Sequence, residues 1–159
     1  MDGRKYGVSR RPGFLLAEAL AVLFLVSLTA AIAFPALWDY EEKRELDLAA
    51  ETLASAIREV QVLSKNDTGR YGNTTNVYHF YCLPDGEGRA YYYTRRGVSE
   101  IRPKGRLPSS VRLAGKLELT FRKNYSGEGN TYSTVLTTRD GKYRKEITVA
   151  VYTGRVRVN

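Results

Sequence analysis
Residues 10–43 read RRPGFLLAEALAVLFLVSLTAAIAFPALWDYEEK, and the interpretation of this stretch decides the architecture. From Phe14 to Leu37 it holds one charged side chain, Glu18. These 24 residues, at about 1.5 Å of rise each, make a helix of roughly 36 Å, enough to cross the hydrocarbon of a bilayer. Arg4, Lys5, Arg10 and Arg11 precede it against a single acid, Asp2. That basic flank predicts an amino terminus that stays cytoplasmic while the bulk of the chain is exported. No other segment is apolar and long enough to span.

Three interpretations of the segment follow from its residues. One is a permanent single-span anchor with Glu18 near the cytoplasmic boundary. Another is a removable secretory signal, since Ala31-Ile32-Ala33 has the small-x-small pattern that precedes a cut, here before Phe34. Ser9-Arg10-Arg11 adds a weak twin-arginine hint, with Phe14 one residue too far along. The third accounts for more residues at once: a short basic leader, then Gly13-Phe14-Leu15-Leu16-Ala17-Glu18 opening an unbroken apolar helix.

This last arrangement resembles the class III signal of type IV pilins and pseudopilins. The resemblance implies that a prepilin peptidase cuts between Gly13 and Phe14 and methylates the new amino terminus of Phe14. It makes Glu18 the glutamate at the fifth mature position, and Pro35 the proline that recurs near the end of the apolar half. The physics suits these roles. A carboxylate in hydrocarbon costs several kcal/mol unless it finds a cation. Cleavage creates one, the α-amino group of Phe14, about 6 Å along the axis on the same chain and closer on an axially staggered neighbour. Glu18 is therefore expected to compensate the amino terminus of the adjacent subunit and set register during assembly. Pro35 removes a backbone hydrogen bond to the carbonyl of Ala31 and is expected to bend or loosen the helix; the alternative is a helix that stops near Ala33.

Downstream, residues 38–65 contain no Gly or Pro. Leu46, Ala50, Leu53, Ile57 and Val60 recur at spacings of four and three, one apolar stripe expected to dock on a globular head. Asn66-Asp67-Thr68-Gly69 ends the helix. From Asn76 onward the pattern changes to short runs rich in Tyr and Val. NVYHFYC (76–82) and AYYYTRR (90–96) flank a Pro84-Asp85-Gly86 turn as a hairpin. KLELTFRK (116–123) alternates apolar and polar residues. TYSTVLTT (131–138) and YRKEITVAVYT (143–153) form a second hairpin around Asp140-Gly141, and RVRV (155–158) closes the head. The expected fold is α+β: a long amino-terminal α-helix, membrane-spanning below and amphipathic above, packed on an antiparallel β-sheet head. The expected segments are a cleaved leader (1–13), a transmembrane and assembly helix (14–37), an amphipathic helix (38–66) and a β-rich head (67–159).

The net charge of +8 is uneven. Residues 67–159 hold 17 basic and eight acidic side chains, so the basic character belongs to the head. RLPSSVRL (106–113), LTF (119–121), Gly127-x-Gly129-x-Thr131 and ITVAVYTGRVRV (147–158) resemble the H class of minor pseudopilins, which includes the type II secretion subunit GspH, FimT-like minor pilins and ComGD proteins. Gly154-Arg155-Val156-Arg157 is similar to the Gly-Arg-x-Arg element through which FimT-like proteins are thought to contact DNA. On a strand, Arg155 and Arg157 share a face about 7 Å apart, close to the phosphate spacing along one strand. Lys142, Arg144 and Lys145 extend the patch if the final strands pair. The alternative is a solvated basic edge that discourages aggregation.

Enzymatic chemistry finds little footing. His79 and Cys82 are the only residues of their kinds, and their spacing puts them on opposite faces of a strand, so neither a dyad nor a metal pair is expected; both are read as packing residues. Cys82 alone forms no intramolecular disulfide. Gly127-Glu128-Gly129 lacks the strand-to-helix setting of a phosphate loop. The twelve tyrosines are read mostly as filling or bordering a β core, with base stacking as the alternative. No catalytic residue, metal or cofactor is expected. The resemblance implies these partners: prepilin peptidase, other pilin or pseudopilin subunits, an inner-membrane assembly platform driven by a separate ATPase, membrane lipid and, for a competence pilus, DNA. It implies an inner-membrane, single-pass minor pilin with its head outside, later part of a filament tip. The system is a DNA-uptake pilus, a type II secretion pseudopilus or, in a different class, an exported β-domain that binds a ligand without polymerising.

Overall fold
The computed structural model describes residues 12–66, 77–86, 89–97, 100–122, 131–150 and 153–159. Helix α1 runs Pro12–Asn66. The contacts divide the chain into two units, residues 1–40 and 41–159.

The first unit is helical through its described residues. Its described large apolar side chains are exposed: Leu15, Leu23, Phe24 and Ile32 are each more than half exposed. A helix that is apolar all round needs a protein core or a membrane around it. Each such side chain left in water forgoes about 1.5–3 kcal/mol. Among the described residues this is the one helix long and apolar enough to cross a bilayer. Its hydroxyls are satisfied internally: Ser27 Oγ donates to the carbonyl of Phe24 at 2.8 Å and Thr29 Oγ1 to that of Val26 at 2.9 Å. Pro35 lies inside the helix, so the alternative of a helix ending near Ala33 is excluded, and the Ala31-Ile32-Ala33 pattern is helical.

In the second unit, residues 41–66 of α1 supply the stripe read from the sequence. Leu46, Ala50, Leu53, Ile57 and Val60 are fully buried. The unit has eight strands: β1 (Tyr78–Pro84), β2 (Ala90–Arg96), β3 (Glu100–Arg106), β4 (Val111–Leu113), β5 (Leu117–Phe121), β6 (Thr131–Thr138), β7 (Arg144–Ala150) and β8 (Arg155–Val158), and the stripe shares one core with residues of every strand but β3. The strands form two antiparallel four-stranded sheets, ordered β3-β2-β1-β5 and β4-β6-β7-β8. The fold is α+β, as expected from the change of period, with the strands divided between two sheets.

Both expected hairpins form. Strand β1 pairs with β2 in the register Phe80↔Thr94, and β6 with β7 in the register Thr134↔Ile147. Alternation fixes the inner face: Phe80, Cys82, Leu117, Leu119, Ile147 and Val149 are buried, while their strand neighbours point away. Polar ties connect α1 to both sheets. The Glu59 carboxylate meets Lys104 of β3, Asp47 lies 3.2 Å from Lys145 of β7, and Arg58 Nη2 donates to the carbonyl of Val156 in β8 at 3.5 Å.

Strands β3 and β4 were not expected. EIRPKGR carries a proline, a glycine and three cations and shows no apolar alternation. It forms a strand because it lies at a sheet edge, where a missing N–H is tolerated. Its pairing with β2 shifts register between Tyr92 and Tyr93. Gly105 meets that irregularity where space is short: a Cβ there would stand 2.8 Å from the Tyr92 hydroxyl. Strand β4 has three residues, too few for a period to register.

Candidate functional site: apolar helix and carboxy-terminal basic face
Two sets of expected site residues occupy separate places. In α1, Glu18 is exposed among apolar neighbours, one helical turn after Phe14, a rise of about 6 Å. Gly13 and Phe14 lie within the helical backbone; the Phe14 side chain and residues 1–11 of the leader lie outside the described residues.

The second set is on β7 and β8. The turn between them depends on Gly154, whose φ of 68° lies in the left-handed region that costs a residue with a Cβ about 1–2 kcal/mol. Its N–H donates to the Ala150 carbonyl at 2.8 Å. Behind the turn, β8 pairs with β7 in the register Arg155↔Ala150 and Arg157↔Thr148. Val156 points inward and is buried, so Arg155 and Arg157 both point outward and are exposed. The structure thus brings these two guanidinium groups onto one face, as alternation required. Neither makes a salt bridge among the described residues.

The remaining three cations behave differently from one another. Arg144 is exposed on the same face, but four residues before Thr148, roughly 13 Å along the strand. Glu146 stands between, its N–H donating to the Asn159 carbonyl at 3.0 Å, and dilutes the positive face. Lys142 sits in the β6–β7 turn with its ammonium 5.3 Å from the Tyr143 ring centroid. Lys145 does not extend the patch. It alternates onto the inward side with Ile147 and reaches Asp47 of α1. Period-two counting would have separated Lys145 from Arg144, whereas its acidic partner came from a helix distant in sequence.

The β6–β7 turn that carries Lys142 is held by Asp140. Its carboxylate accepts from the Thr138 hydroxyl at 2.5 Å and from the Lys142 N–H at 3.0 Å. Those hydrogen bonds, Thr138 first, hold its pKa below the ordinary carboxylate value.

His79 and Cys82 lie on opposite faces of β1, as expected. Cys82 is a core residue whose thiol burial pushes up to about 12. His79 is not in the core. It lies on the outer face, 3.1 Å from Thr120 Oγ1 and stacked at 6.0 Å on Tyr81. Burial, then the nearby Arg95 and Arg122, hold its imidazole below the usual range. Among the described residues no cluster of His, Cys, Asp or Glu is arranged to hold a metal ion. Among the described tyrosines, Tyr78 and Tyr92 are buried and Tyr143 borders the core, as expected, whereas Tyr81, Tyr91 and Tyr93 line the outer face of the first sheet. The Gly127-x-Gly129 turn lies outside the described residues.

Comparison with protein families, with curated proteins and with solved structures gave no match. Function therefore rests on the residues themselves.

Proposed function
We propose that this chain is a minor pilin or pseudopilin of a type IV filament-family machine, and that its head contacts DNA during uptake. The observation that carries the assembly part is Glu18, a lone acid one turn inside an exposed apolar span. An acid kept there needs a cation, and peptidase cleavage after Gly13 supplies one on Phe14. The amino terminus stays cytoplasmic, the head lies outside, and the subunit moves from the inner membrane into a filament through an assembly platform driven by a separate ATPase.

The DNA part is favoured by the net +9 of residues 67–159 and by the shared outward face of Arg155 and Arg157. Two cations about 7 Å apart on a rigid strand suit consecutive phosphates, binding without base recognition. A head that ignores DNA at low salt would return the system to type II secretion.

The assembly reading is tested with Glu18→Ala. The variant is expected to insert and be processed as the parent is, yet to be lost from sheared filaments. Incorporation at the parental level would refute the role of Glu18.

A further inference from the structure
Alternation in β1 and β2 sends Tyr78, Phe80, Cys82, Ala90, Tyr92 and Thr94 into the core. The residues between them emerge on the opposite face as a row of rings. Tyr81 and Tyr93, cross-strand partners, stack with centroids 5.0 Å apart and planes 18° apart. Tyr91 continues the row at 6.1 Å and 13°, and His79 extends it from the other end at 6.0 Å and 27°. Beside the row, where the pairing of β2 with β3 shifts register, a groove of about 630 Å³ is bordered by Tyr91, Tyr93, Ile101, Gly105 and Arg106, with Tyr92 and Lys104 also in its lining.

Cross-strand aromatic pairs stabilise any sheet, but that role requires neither an open groove nor cations around it. Arg106 is exposed at the groove and is the cross-strand partner of Tyr91. Arg95 and Arg122 lie close enough to His79 to depress its protonation. Among the described residues, two acids lie near the rings and each has a basic partner: Glu118 is 3.3 Å from Lys116, and Asp85, which borders a small pocket with Tyr91 and Arg106, is 3.4 Å from Arg89. Near-parallel rings with a cationic rim fit a ligand that presents flat faces and regular negative charge together. Unpaired nucleotides are that ligand: bases stack on aromatic rings regardless of sequence while phosphates meet the cations. A duplex hides its base faces, and a neutral glycan makes no use of Arg106.

We propose that the outer face of the first sheet is a single-stranded DNA platform, on which bases stack against Tyr81, Tyr91 and Tyr93 and a phosphate pairs with Arg106. It rests on the reading of the head as a DNA-contacting module, and it is a different surface on a different sheet from Arg155 and Arg157. The head thereby has one surface for the duplex backbone and one for an unpaired strand or frayed end.

The test uses the full-length chain in detergent micelles and fluorescence anisotropy with a labelled oligothymidylate and a duplex of equal length. Tyr91→Ala/Tyr93→Ala is expected to weaken oligothymidylate binding about fivefold or more per ring, with duplex binding unchanged. Tyr91→Phe/Tyr93→Phe, which keeps the rings, is expected to bind as the parent does, and Arg155→Ala/Arg157→Ala to weaken the duplex more than the single strand. Oligothymidylate affinity that survives loss of both rings overturns the platform, as does a Phe variant as weak as the Ala variant. Binding of a neutral β-linked oligosaccharide without binding of oligothymidylate assigns the rings to a glycan and also overturns it. Duplex binding lost only with Arg155 and Arg157 would leave the other DNA surface standing, so the two can fail separately.

Discussion

Replacing Arg155 and Arg157 together by alanine should change the salt dependence of DNA binding by a calculable amount. Both side chains are exposed and share one face of β8, so each can neutralise one phosphate. Each neutralised phosphate contributes about −0.9 to the slope of log K against log salt on duplex DNA. The double variant should therefore bind with a slope shallower by about 1.8. Between about 50 and 200 mM salt that difference amounts to a factor of roughly 12, so the variant falls furthest behind at low salt and nearly catches up at high salt. Arg144, with Glu146 between it and Arg157, should change the slope by less than one when replaced. Anisotropy titrations of a labelled duplex with the full-length chain in detergent, at four or more salt concentrations, give the slopes directly. An unchanged slope in the double variant, even with weaker binding, would mean that these arginines hold the strand in place and do not touch phosphate.

Three further outcomes follow from the packing. Ile57→Ala empties a fully buried site on α1 and should lower stability by about 2–5 kcal/mol, read as a shift of the denaturation midpoint; Leu48→Ala, exposed on the same helix, should cost little, and equal effects would refute the assigned face. Gly154→Ala should destabilise the head by about 1–2 kcal/mol through its positive φ, since a new Cβ would meet nothing nearer than 3.8 Å; an unchanged melting temperature would contradict the turn. Asp140 has a folded pKa below its unfolded value, so its contribution is present above the unfolded pKa and lost as pH falls through the folded one. The difference in melting temperature between the parent and Asp140→Ala should accordingly be largest near neutrality and vanish in strong acid; a difference that grew on acidification would reverse the sign and the assignment.

The parts of the fold legible in the sequence were those set by local period. The stripe from Leu46 to Val60 is buried as its spacing required, and the two hairpins formed around Pro84-Asp85-Gly86 and Asp140-Gly141. Arg155 and Arg157 share a face for the same reason. What escaped depends on neighbours distant in the chain. Strand β3 holds Pro103 and Gly105 because it is an edge, and an edge is defined by the strand order. Lys145 leaves the basic face by the alternation that buries Ile147, and only its partner, Asp47 of α1, is distant in the chain. The tyrosine row was the costliest omission, since aromatic residues in strands are favoured on either face. The signal was present: Tyr91 and Tyr93 alternate with Ala90, Tyr92 and Thr94, and one set must point away from the core.

The central claim is that the chain matures by cleavage at Gly13, giving the Glu18 carboxylate a cation to pair with in the assembled filament. Mass spectrometry of the amino-terminal peptide from membranes of the native host tests this most directly. A peptide beginning with singly methylated Phe14 is the predicted result. A peptide beginning at Met1 or at Phe34 would contradict it, leaving an anchored or secreted basic β-domain in place of a filament subunit.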